Sequence, residues 1–151
     1  MAAKDNISSQ FRMLHGSPLR IATGEQLMGA NKVSTPERIK ARTEANPGYR
    51  ADRVYMSPQP ITALQYTWTD EDVQEQRKVP SGYIHVVEPI GRLLKDDSSR
   101  AALISGSRHA RGALVRGSFP AKAIVTGKVD TEEEHKTFQD YMDHMRSRGL
   151  L

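Results

Sequence analysis

The stretch Gly82–Pro89, GYIHVVEP, constrains this chain more than any other. Tyr83, Ile84, Val86 and Val87 are aromatic or β-branched, a composition that fits a pleated surface, and Pro89 predicts the strand's end. A strand of this kind needs partners, and the sequence offers three. FRMLHG (Phe11–Gly16) reads as a short strand that ends at a His-Gly pair. RVYMS (Arg53–Ser57) places Val54 and Met56 on one face, Arg53 and Tyr55 on the other. AKAIVTGKV (Ala121–Val129) is predicted as a further strand.

Helical signals alternate with these segments. Ser34 is the expected N-cap of a helix over STPERIKARTEAN, with Pro36 in its first turn and Glu37 three residues after the cap. NPGYRAD (Asn46–Asp52) should break it. ITALQYTWTDEDVQEQRK is predicted as one helix, with Ile61, Leu64 and Trp68 at i, i+3 and i+7. Thr131 and Glu134 form an expected capping box for a last helix whose inner face is Phe138, Tyr141, Met142 and Met145. Gly91–Ser118 reads as irregular and basic. Strands and helices alternating with short Pro and Gly stops predict an α+β domain.

At 151 residues the expectation is a loose leader over residues 1–9 and one domain over residues 10–151. No apolar run approaches a membrane span, and MAAKDNISSQ lacks the apolar stretch of a secretory signal. The absence of cysteine excludes disulfides, thiolate chemistry and Cys-rich zinc sites, and fits a cytoplasmic location. A net charge of +4 suits an anionic partner, whether nucleotide phosphate, nucleic acid or acidic protein, or simply a solvated positive face.

Several chemistries can be set aside. His135 and His144 are nine residues apart in the last helix, on different faces, and Asp140 with His144 has the spacing of a surface pair, so no metal site is expected. There is no Gly-x-Ser-x-Gly elbow, no Gly-x-Gly-x-x-Gly and no phosphate loop. What remains is an ordered set of residues at separate strand ends: His15 in Leu-His-Gly-Ser, Tyr55 in Val-Tyr-Met-Ser, Tyr66 on the following helix, Glu88 in Val-Glu-Pro, then Asp96 and Asp97. Two tyrosines so placed can sandwich a flat ring. Singly, each such tyrosine or histidine is more often a core residue.

In this order the segments LHGSPLRIATGEQL, RVYMS, GYIHVVEPIG, KDD, PAKAIVTG and MRSRGL resemble the ADP-ribosyltransferase fold of the His-Tyr-Glu type, most closely the small bacterial rifamycin ADP-ribosyltransferases. The likeness spans about residues 12 to 150. It implies a compact split β-sheet core with a few flanking helices, and NAD as co-substrate. It further implies that His15 hydrogen-bonds the adenosine ribose of NAD and that the backbone at Gly16, beside Ser17, grips the nicotinamide amide. Tyr55 would stack on nicotinamide, with Tyr66 as a second ring. The catalytic carboxylate would be Asp97 or Asp96, with Asp97 favoured, and Glu88 structural. Arg108, Arg111 and Arg116 would face the pyrophosphate. The expected activity is NAD-dependent mono-ADP-ribosyl transfer, with a rifamycin-type antibiotic (hence rifampicin resistance) or a protein or nucleic acid as acceptor. The alternatives are a non-catalytic binding or structural member of the fold, and a nucleic-acid-binding module resting on the arginine-rich middle. The segment between Leu27 and Tyr55 is longer than in the rifamycin enzymes and carries its own predicted helix.

Overall fold

The computed structural model describes residues 13–147 and 149; the expected leader and the first residues of the FRMLHG strand lie outside them. The chain is α+β, with two antiparallel sheets flanked by helices. In the larger sheet β1 (Met13–Ser17), β4 (Tyr83–Ile90), β7 (Gly112–Pro120) and β2 (Gln26–Met28) lie in that order. The smaller sheet orders β3 (Val54–Met56), β6 (Arg108–Ala110) and β5 (Leu94–Lys95). Paired backbone bonds between Leu14 and Ser57, 2.8 and 3.0 Å, join β1 to the end of β3 and so link the two sheets.

Period-two alternation gives the larger sheet two apolar faces. Leu14, Ile84, Val86 and Phe119 pack with Tyr141 and Met145 of helix α7 (Glu132–Ser147), and Phe138 and Met142 add to this layer, as the sequence predicts. Met13, Val87, Ala113 and Val115 pack with Val54, Met56 and Ala110 of the smaller sheet. Full burial of a side chain such as Leu14 or Phe119 is worth about 1.5–3 kcal/mol. Thr131 accepts from the backbone N–H of Glu134 and so caps α7 as expected. The Tyr141 hydroxyl donates to the Pro58 carbonyl at 2.9 Å.

Several expectations need correction. β4 does not stop at Pro89 but runs to Ile90, because its register against β7 continues to Gly112 while described pairing with β1 ends at Val87. The segment 91–118 is ordered: it holds β5, helix α5 (Arg100–Ile104), β6 and most of β7. A register shift opposite Val86/Val87 leaves Arg116 as the extra residue in β7. Odd-numbered residues therefore face the smaller sheet before it (Ala113, Val115) and α7 after it (Gly117, Phe119), which breaks the alternation a reader of the sequence would look for.

AKAIVTGKV is not a strand. Lys122–Thr126 is helix α6, closed by Gly127 in the left-handed region (φ 73°). The β-branched residues there were a weak guide, since Ala123 and Ile124 find the core from a helical turn. The helix expected from Ile61 is two short ones, α3 (Pro60–Leu64) and α4 (Asp70–Gln74). Between them the Thr67 hydroxyl donates to the Leu64 carbonyl, and Thr69 caps α4 in a reciprocal box with buried Asp72. Helix α2 (Pro36–Ala45) is capped by Thr35 rather than Ser34, its oxygen accepting from Arg38 N–H. A short helix, α1 (Ala30–Val33), precedes it.

Candidate functional site

β1 is the edge strand beside the smaller sheet, and its register decides which groups it presents. Leu14 exchanges both backbone bonds with Ser57, away from β4. Antiparallel alternation then turns the N–H and C=O of His15 toward β4 and those of Gly16 toward the open edge. Gly16 lines a small crevice with Tyr55, Thr62, Tyr66 and Ser107 among others. Its missing side chain has a packing reason as well: a Cβ there would lie 2.0 Å from the Ala63 carbonyl oxygen of α3.

His15 Nδ1 lies 2.8 Å from the Tyr55 carbonyl. A carbonyl only accepts, so Nδ1 carries the proton and Nε2 is left as an acceptor. Burial lowers the His15 pKa, with Arg42 adding to the effect against the Tyr55 hydrogen bond. His15 and Tyr55 line a cleft of about 410 Å3 together with Ser17, Glu25, Arg42, Tyr49 and Arg53 among others.

Behind His15 lies His85, fully buried. The Ile21 N–H donates to its Nε2 at 2.8 Å, and its Nδ1–H donates to the His15 carbonyl at 3.1 Å. His85 is therefore neutral. Burial, opposed by the His15 hydrogen bond and helped by the nearby His15 and Arg20, takes its pKa down to about 4 from 6.5. A folded pKa below the unfolded one means that the unfolded chain binds the extra proton. Stability is full above about pH 6.5 and falls toward pH 4, by on the order of 3 kcal/mol. Urea unfolding at pH 7, 5.5 and 4 measures this together with the same-signed effect of His15 and His109, and a flat profile would show that these histidines take up protons in the fold as readily as in the unfolded chain.

Tyr55 is held from three sides. Its hydroxyl accepts from the Arg50 N–H at 2.8 Å. Its ring stacks on Tyr49 (5.5 Å, 24°) and is tilted against His109 (5.3 Å, 55°), its cross-strand partner. His109 is 7% exposed and its Nδ1 has no hydrogen-bond partner; Arg53 Nε is also buried without one, 4.0 Å from Asp52.

The acidic pair divides. Asp96 is buried, accepting from Ser98 N–H (3.2 Å), Ser98 hydroxyl (2.6 Å) and Ser107 hydroxyl (2.8 Å). Burial raises its pKa, but these hydrogen bonds outweigh burial and hold the carboxyl below its ordinary value. Its charge is felt at both Tyr55 and His109. Asp97, favoured from the sequence, is exposed.

Among the sequence candidates, His15, Ser17 and Tyr55 line the cleft, Gly16, Tyr55 and Tyr66 line the crevice, and Asp96 lines neither, though its charge is felt at Tyr55. Arg116 does not join them: it is the bulged residue of β7, and its guanidinium pairs with Glu88. Tyr49 and Arg42 were not anticipated. The Arg42 guanidinium lies 4.6 Å from the Tyr49 ring centre and 5.4 Å from that of Tyr66. Tyr49 sits inside NPGYRAD, a segment whose sequence signals only a helix stop. Among the described residues no helix is long and apolar enough to cross a membrane, and no cluster of His, Asp and Glu could hold a metal ion. No family model matches this chain, and no curated protein matches it.

Proposed function

We propose that this chain is an NAD-dependent mono-ADP-ribosyltransferase with an ADP-ribosyltransferase-like split sheet, moving ADP-ribose onto an acceptor hydroxyl or similar nucleophile. The observation that carries this reading is the meeting of His15, Gly16 and Tyr55 where β1 abuts the smaller sheet. Each suits one part of NAD. His15 Nε2, unprotonated, can accept from a ribose hydroxyl. The edge N–H and C=O of Gly16 match the acceptor and donors of a carboxamide, and the Tyr55 ring, a wall of both the cleft and the crevice, offers nicotinamide the aromatic surface that Tyr49 and His109 leave uncovered.

In the reaction the C1′–N bond to nicotinamide breaks, with the electron pair leaving on nicotinamide. The acceptor oxygen bonds C1′ and gives up its proton to solvent water, through a state with positive charge on the ribose. The Asp96 carboxylate, held ionised by Ser98 and Ser107, is the nearby negative charge that stabilises that state.

The test is mass spectrometry of NAD incubated with the protein, with and without rifampicin. Free nicotinamide is expected, and one ADP-ribose on the drug would identify a rifamycin acceptor. Release without modified drug directs the acceptor to protein or nucleic acid. No release with drug, protein or nucleic acid present would sink the transferase reading. Tyr55→Ala is expected to weaken NAD binding about three- to tenfold, the worth of a lost ring contact, measured by calorimetry. A second reading, a non-catalytic binding protein, is favoured by the crevice beside Gly16, which holds only about 20 Å3. Saturable NAD binding in the micromolar to millimolar range would count against it.

A further inference from the structure

We infer that Arg42 is a gate: its guanidinium occupies the mouth of the aromatic slot in place of a planar cationic ligand ring, and must swing out with α2 before the nicotinamide end of NAD can enter. The inference rests on the NAD reading above and adds how entry to that site is controlled.

Three observations carry it. The crevice into which Gly16 turns its backbone groups has room for about one water molecule, and Tyr55 and Tyr66 are two of its walls. Arg42, exposed and lining the adjoining cleft, lies over Tyr66, one of these walls, and over Tyr49, which stacks on Tyr55, the other. Helix α2, which carries Arg42, has no buried residue, so no core contact has to break when it moves.

A guanidinium and the pyridinium ring of NAD share what this slot reads. Both are flat, delocalised cations that lie on tyrosine faces. Arg42 is therefore a competitor built into the chain. Among the described residues it forms no salt bridge that would hold it elsewhere. Exposed cation–π contacts of this kind are weak enough to yield to a ligand that brings its own ring and hydrogen bonds.

The experiment compares the full chain with Arg42→Ala and Arg42→Lys, by NAD calorimetry and by NMR of the arginine side chains. In the parent protein the Arg42 δ-methylene protons are expected to be shifted upfield by the two rings, and to lose that shift when NAD is added. Arg42→Ala should bind NAD about three- to tenfold more tightly, and Arg42→Lys should fall between, because an ammonium stacks less well. Weaker NAD binding by Arg42→Ala would overturn the gate and make Arg42 a ligand contact instead. Unshifted Arg42 resonances in the free protein would overturn the gate alone. A shifted Arg42 with no NAD binding by any of the three proteins would overturn the transferase reading, and the gate as a control of NAD entry with it.

Discussion

Asp96→Asn is expected to lower ADP-ribosyl transfer by roughly two orders of magnitude or more while changing NAD binding by less than about threefold. Asparagine keeps the size and the one oxygen that accepts from Ser98, and its NH2 replaces the oxygen that accepts from Ser107, whose hydroxyl can turn to accept instead, so the loop should hold its place. What disappears is the negative charge beside Tyr55, and that charge matters when the ribose becomes positive rather than when NAD is bound. The same exchange at Asp97, exposed on the adjoining position, is expected to cost less than about threefold. Rates of nicotinamide release for the two variants decide the matter. Equal activity of Asp96→Asn and the parent would make Asp96 a purely structural pin for the turn after β5, and a large loss at Asp97 alone would return the catalytic role to that residue.

Gly16→Ala is expected to destabilise the fold by about 3 kcal/mol or more, and to lower Tm by roughly 10 °C. The added methyl carbon would stand 2.0 Å from the Ala63 carbonyl oxygen and 3.1 Å from Thr67 Cγ2. The first is backbone at the end of α3, so relief requires β1 and α3 to part. Parting them also moves Gly16, whose edge N–H and C=O are the groups proposed to hold the carboxamide. The variant should therefore lose NAD binding as well as stability, and the two losses should appear together. Thermal unfolding at neutral pH measures the first. An unchanged Tm would mean that α3 does not lie against this edge of β1.

Much of the scaffold was legible along the chain. Tyr83 to Val87 announce a strand because β-branched and aromatic residues recur without a helical period, and Thr131 announces α7 because a cap is a contact across three residues. His15 and Tyr55 were legible as members of short strands, although they lie at the centres of β1 and β3 and not at strand ends as the sequence suggests. β7 was not, because the single extra residue at Arg116 moves its apolar side chains from one face to the other halfway along. α6 was misread because Ile124, Val125 and Thr126 favour strands locally, while the packing of Ala123 and the turn at Gly127 favour a helix.

Local signals settle within a few residues, and these the chain carries openly: its alternation, its caps, its lack of cysteine, and the α+β class that follows. Which of two adjacent aspartates is buried, which tyrosine stacks on Tyr55, and that Arg42 lies over Tyr49 and Tyr66 depend on groups far apart in sequence. His109 meets Tyr55 through cross-strand pairing, Ser107 reaches Asp96 from the far side of α5, and Arg42 on α2 reaches Tyr66, which lies in the turn after α3 rather than on a helix as expected. Such contacts form only when both sheets are in register, because burial and pairing are properties of the packed whole and no short run of residues encodes them.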